Sequence, residues 1–100
     1  MIEIKSDKII TPNGLKSGYL YLDNGLIDGF FEKQRSDIAC GKRYDFSGKY
    51  VSPGFIDLHT HGAGGYPFIN CSEDDVINAC NFHLIHGTTS IMPTVTAGAF

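Results

Sequence analysis

Pro53-Gly54-Phe55-Ile56-Asp57-Leu58-His59-Thr60-His61-Gly62 is the stretch on which the reading of the fold depends. Proline withholds a backbone donor and glycine admits unusual backbone angles, so Pro53-Gly54 punctuates the path. It divides the chain into residues 1–52 and 53–100. Phe55 to His59 reads as a strand of mixed polarity, and it opens into His61-Gly62-Ala63-Gly64-Gly65, a run too rich in glycine to hold regular structure. Side chains two apart on a strand share a face, so His59 and His61 present both imidazoles the same way, about 7 Å apart at Cα for ~3.3 Å per residue. One ion can be gripped by both. Imidazole suits Zn²⁺, Fe²⁺, Ni²⁺ and Co²⁺, and a hydrolytic site also needs carboxylates and an open position for water. Asp57 has the same parity, two residues deeper, and reads as a strand-end residue that hydrogen-bonds behind the ligands. A lone H-x-H pair is a weak signal. It gains weight because this one closes the C-terminal end of a strand that begins a β/α unit, where α/β barrels place their active sites.

Downstream, Ser72 can cap a helix, with Glu73, Asp74 and Asp75 in its first turn and Asp75 in the capping-box position. Val76, Ile77, Cys80 and Leu84 recur at helical spacing and predict the buried stripe. Gly87 is the natural stop, and Thr88 to Val95 is β-branched and apolar enough for the next strand. Strand, helix, strand implies a right-handed parallel βαβ unit. His83 and His86 are three apart in the last helical turn, where a donor satisfies free carbonyls, so both read as structural. Gly62-Ala63-Gly64-Gly65 lacks the lysine of a phosphate loop and the G-x-G-x-x-G spacing, which argues against a nucleotide. Its glycines would let backbone pass close to a substrate or another loop. No G-x-S-x-G surrounds Ser72, so it is a cap and no nucleophile.

Upstream, Ile2 and Ile4 alternate with Glu3 and Lys5, and Lys8-Ile9-Ile10 runs into Thr11-Pro12-Asn13-Gly14, which predicts two short strands and a turn. Tyr19 to Leu22 follows, and Asn24-Gly25 supplies the two positive φ angles of a type I′ hairpin before Leu26-Ile27. Glu32 to Lys49 is polar and irregular apart from a strand around Arg43 to Phe46. Residues 1–52 therefore form a small β module.

The chain has 100 residues, 42% hydrophobic and 19% charged, which is the composition of a globular protein with a modest core. A net charge of -3 with scattered Lys and Arg offers no basic stripe for nucleic acid. No apolar run approaches the roughly 20 residues needed to cross a bilayer. Met1-Ile2-Glu3-Ile4-Lys5 lacks the features of a signal peptide, so the cytoplasm is the expected compartment and no membrane is involved. Cys40, Cys71 and Cys80 are odd in number and lack C-x-x-C spacing, so they read as reduced thiols.

Val51 to Gly62 resembles the signature of metal-dependent amidohydrolases, in which a small β-sandwich precedes a (β/α)₈ barrel. Gly62-Ala63-Gly64-Gly65-Tyr66, His86-Gly87-Thr88-Thr89-Ser90 and Pro93-Thr94 are more similar to N-acetylglucosamine-6-phosphate deacetylases than to dihydroorotases, allantoinases or adenine deaminases. The resemblance implies an α/β chain: N-terminal strands of the sandwich, then the first β/α unit and second strand of an incomplete TIM-type barrel. It implies that His59 and His61 ligate one divalent metal, Zn²⁺ or Fe²⁺, in a site of one or two ions. The implied reaction hydrolyses the acetamide of N-acetylglucosamine 6-phosphate to glucosamine 6-phosphate and acetate, in the amino-sugar metabolism of a homodimeric enzyme. The family's glutamate ligand, two further histidines, catalytic aspartate and phosphate-holding residues match no position here. The chain therefore reads as a truncated piece with no catalytic residue of its own, inactive alone. Two alternatives stay open: another amidohydrolase, or a non-catalytic β/α module.

Overall fold

The computed structural model describes residues 1–96, so the last four residues of the expected 53–100 segment lie outside the described ones. Two compact units divide the chain, Met1–Pro53 and the residues from Gly54 onward.

In the first unit five strands, β1 (Ile2–Thr11), β2 (Gly14–Asp23), β3 (Leu26–Phe31), β4 (Lys42–Asp45) and β5 (Tyr50–Val51), make one mixed sheet. Its order is β3-β2-β1-β4, with β5 also on β1; β2 is antiparallel to β1 and β3, while β4 and β5 run parallel to β1. Asn24 (φ 49°) and Gly25 (φ 79°) form the two-residue β2–β3 turn with both φ angles positive, as Asn-Gly demands. Where the sequence predicts two short strands before Pro12, one ten-residue strand forms instead. A register shift between Ser6 and Ile9 absorbs the polar Ser6-Asp7-Lys8 interruption. Ser6 Oγ satisfies the irregularity by accepting from Lys8 N (3.0 Å) and donating to Lys49 O (2.7 Å).

The buried face of β1 also differs from a simple apolar alternation. Glu3 is buried while Ile2 and Ile4 are half-buried, because Glu3 meets Tyr21 Oη and Gln34 Nε2, each donating to it at 2.8 Å. A buried carboxylate is tolerable only when hydrogen-bonded in this way. Tyr21 Oη in turn accepts from Arg35 N at 2.9 Å, and burial pushes its phenol pKa up. Ile9, Ile10, Leu20, Ile27, Phe30 and Val51 line an apolar groove of about 530 Å³ in this unit.

The second unit holds β6 (Phe55–Thr60), β7 (Gly62–Ala63), β8 (Tyr66–Pro67), α1 (Glu73–Ile85) and β9 (Thr88–Pro93). β6 and β9 are parallel partners joined through α1, which is the βαβ arrangement the strand-helix-strand order predicts. Ser72 Oγ accepts from Asp75 N (3.2 Å) and Asp75 Oδ2 accepts from Ser72 N (2.9 Å), completing the capping box. The Ser72 backbone and hydroxyl donors hold the Asp75 pKa below its ordinary value. Gly87, at φ 95°, ends the helix in the left-handed region, and its carbonyl accepts from Phe55 N at 2.8 Å.

Two expectations need correction here. The helix does not bury Val76, Ile77, Cys80 and Leu84 as one stripe: Ala79 is the fully buried residue, Val76 and Cys80 are half-buried, and Ile77 and Leu84 are exposed. The helix lies against β7, β8 and β9, so Ala79 makes the close approach. Ile77 and Leu84 are only partly covered among the described residues. The glycine-rich run is also not irregular. β7 and β8 pair antiparallel through Gly64 (φ 61°) and Gly65 (φ 87°), two positive φ angles that suit a tight hairpin turn.

Candidate metal centre

His59 is the penultimate residue of β6 and His61 follows its end, with Thr60 between them. Strand alternation sends the two imidazoles to one side and Thr60 to the other. Both histidines are exposed, whereas Thr60 is buried. The rings stand edge to face at 76°, their centroids 4.9 Å apart, and the two Nε2 atoms approach to 3.0 Å. A neutral imidazole with its proton on Nε2 can donate to the other nitrogen in that geometry.

Several backbone tethers fix this strand end. Thr60 O accepts from Thr94 N at 2.8 Å, and His61 O accepts from Phe68 N at 2.9 Å. Asp57 Oδ1 accepts from His59 N at 3.1 Å, so its carboxylate serves the strand directly behind the pair. Gly62 has φ 140°, and a Cβ there would lie 2.2 Å from Tyr66 O and 2.7 Å from Pro67 Cα. Only glycine lets the chain fold back beside His61. An open hollow of about 480 Å³, lined by His61, Gly62, Ala63, Gly65, Tyr66 and Pro67, adjoins that histidine.

The donor chemistry fits half of a divalent-metal site. Two nitrogens each about 2.0–2.1 Å from a shared ion lie no more than about 4.2 Å apart, and 3.0 Å is inside that limit. No group of three His, Cys, Asp or Glu side chains among the described residues converges as a full ligand set. His83 and His86 stand apart from the pair's open side. His83 Nε2 lies 3.0 Å from Thr60 Oγ1, and His86 Nδ1 lies 2.7 Å from Phe82 O in its own helix. The three cysteines are free and half-buried. Sequence reasoning missed two features: the β7–β8 hairpin, for which Gly64-Gly65 was the available signal, and the Thr60–His83 contact, which spans 23 residues and has no local signature.

No protein-family model matches this chain. An N-acetylglucosamine-6-phosphate deacetylase of Caenorhabditis elegans is 30% identical over 106 residues, covering 95% of this chain and 24% of that protein. A 5-methylthioadenosine/S-adenosylhomocysteine deaminase of Archaeoglobus fulgidus is 41% identical over 64 residues, covering 63% of this chain and 14% of its own length. Among solved structures, N-acetyl-D-glucosamine-6-phosphate deacetylase from Mycobacterium smegmatis superposes with a TM-score of 0.79 at 26% identity, over 98% of this chain and 28% of that one. The chain thus spans about a quarter of the deacetylases it matches.

Proposed function

We propose, from the likeness of nearly the whole chain to N-acetylglucosamine-6-phosphate deacetylases, that it carries the metal-holding strand of an enzyme of that activity. On this reading residues 1–52 are strands of a β-sandwich and residues 53–100 begin a (β/α)₈ barrel. The observation that carries it is the approach of His59 Nε2 and His61 Nε2 to 3.0 Å on one side of a parallel strand's C-terminal end.

His59 and His61 would hold one divalent ion, Zn²⁺ or Fe²⁺, and Asp57 holds the backbone of His59 behind it. The ion, when bound, polarises an amide carbonyl and lowers the pKa of water to near neutrality. The substrate is the acetamide of N-acetylglucosamine 6-phosphate, and the glycine-lined hollow beside His61 leaves room for a small sugar to approach. A catalytic zinc takes three protein ligands as a rule, and proton delivery to the leaving amine needs a carboxylate. Residues 1–96 bring only two imidazoles together. The chain by itself is therefore catalytically silent, and the third ligand, the carboxylate and the phosphate grip come from other sequence. No helix among the described residues is long and apolar enough to cross a membrane. We place the enzyme in the cytoplasm, as a homodimer.

The Archaeoglobus fulgidus match favours one second reading, a deaminase that would use His59 and His61. A chimera separates the two. The aligned segment of the Caenorhabditis elegans deacetylase is replaced by Val51–Thr96 of this chain, and acetate release from N-acetylglucosamine 6-phosphate is measured. We expect turnover that a His59→Ala, His61→Ala version abolishes. A folded chimera without activity, or activity that survives the double substitution, overturns the deacetylase reading. The isolated chain should release no more acetate than its own double-alanine control.

A further inference from the structure

We infer that His83 is a positioning residue for the His59/His61 pair, acting through Thr60. Its consequence for metal binding rests on the reading above; its consequence for the geometry of the two rings does not.

Thr60 has one hydroxyl proton and three polar neighbours. Its Oγ1 donates to Gly62 O at 3.1 Å, which leaves the oxygen to accept from His83 Nε2 at 3.0 Å. In its Nε2–H tautomer His83 donates to that oxygen. The two residues are 23 apart, one at the end of β6 and the other in the last turn of α1, so this bond ties helix to strand. The backbone bonds from Thr94 N and Phe68 N hold the strand end in place along its length. The Thr60–His83 bond adds a side-chain tie on the buried side of the strand, opposite the two imidazoles. The fine set of the strand end decides where His59 and His61 point, because their side chains leave it opposite to Thr60. Thr60 is buried, so water does not replace His83 at its oxygen, and loss of that donor leaves the strand end tied to the helix by no side chain at this point. Partners that stand behind metal ligands typically change metal affinity about 10–100-fold when removed.

The experiment uses the full chain with His83→Leu, which removes the donor, and His83→Gln, whose amide can donate from nearly the same place. Helix content by circular dichroism first establishes folding. In metal-free protein, nuclear Overhauser contacts between the imidazole protons of His59 and His61 should be present in the parent and in His83→Gln and lost in His83→Leu. Cobalt(II) titration should show affinity falling tenfold or more in His83→Leu and returning to within about threefold of the parent in His83→Gln. A folded His83→Leu that keeps the ring contacts overturns the inference. If His83→Leu does not fold, Thr60→Val breaks the same bond from its other end, and retained ring contacts there overturn it equally. Ring contacts that respond as expected in a parent that binds no cobalt uphold the positioning role and refute the metal reading alone.

Discussion

Gly62→Ala is the perturbation whose cost the structure defines most narrowly. At φ 140° an L-residue occupies sparsely populated backbone, which costs about 1–3 kcal/mol. The added Cβ would also lie 2.2 Å from Tyr66 O and 2.7 Å from Pro67 Cα, both backbone atoms that cannot rotate aside. The β7–β8 hairpin must move away, and the 2.9 Å bond from Phe68 N to His61 O goes with it, for a further ~1 kcal/mol. The sum is about 2–4 kcal/mol before any residual overlap. Gly65→Ala is the control, since Gly65 also has positive φ (87°) but nothing lies within 4 Å of its Cβ position. Strain alone there costs about 1–2 kcal/mol. Urea unfolding followed by circular dichroism at 222 nm reports the helix of the same unit. We expect Gly62→Ala to lower stability by at least ~1 kcal/mol more than Gly65→Ala, from the steric term the control lacks. It should also weaken cobalt binding although both histidines remain. Equal costs for the two substitutions would refute the argument that backbone crowding beside His61 makes glycine obligatory.

In the first unit, Tyr21→Phe removes a buried hydroxyl that donates to Glu3 and accepts from Arg35 N. Hydrogen bonds to charged groups are worth about 1.5–3 kcal/mol, so chemical denaturation should show a loss of that order; a loss below ~0.5 kcal/mol would mean water replaces the phenol. Two exposed carboxylates set an acid limit. Asp45, held by the Ser47 hydroxyl and backbone N–H and by Lys5, and Asp37, held chiefly by Arg35, both titrate at about 2. Their folded values lie below their unfolded ones, so the stability they contribute is whole above about pH 4 and is lost as pH falls toward 2. Carboxyl carbon shifts followed by NMR check this, and midpoints near 3.8 for both would contradict it.

The legible parts of this chain share one physical property: their signals are local. Asn24-Gly25 dictates a type I′ turn because both residues tolerate positive φ, and Ser72 with Asp75 dictates a helix start because its first N–H groups need acceptors within three residues. His59 and His61 share a face because a strand repeats every two residues. Their common face could therefore be read from spacing, and their candidacy as ligands from spacing together with their place at the end of a β/α strand. What spacing could not supply is separation at the donor atoms, since the 3.0 Å between Nε2 atoms follows from ring rotamers and the set of the strand.

The misjudged parts depend on partners distant in sequence. Val76, Ile77, Cys80 and Leu84 have helical period, yet which face is buried is decided by where β7, β8 and β9 lie, and that selects Ala79. Glu3 has the look of a solvent-facing residue between two isoleucines. It is buried because Tyr21 and Gln34, 18 and 31 residues away, bring it hydrogen-bond donors. By itself, then, the sequence determined the Asn24-Gly25 turn, the helix caps, the strand-helix-strand order and the shared face of His59 and His61. Tertiary structure alone decided which faces are buried and the Thr60–His83 bond, because both belong to contacts that no local window contains.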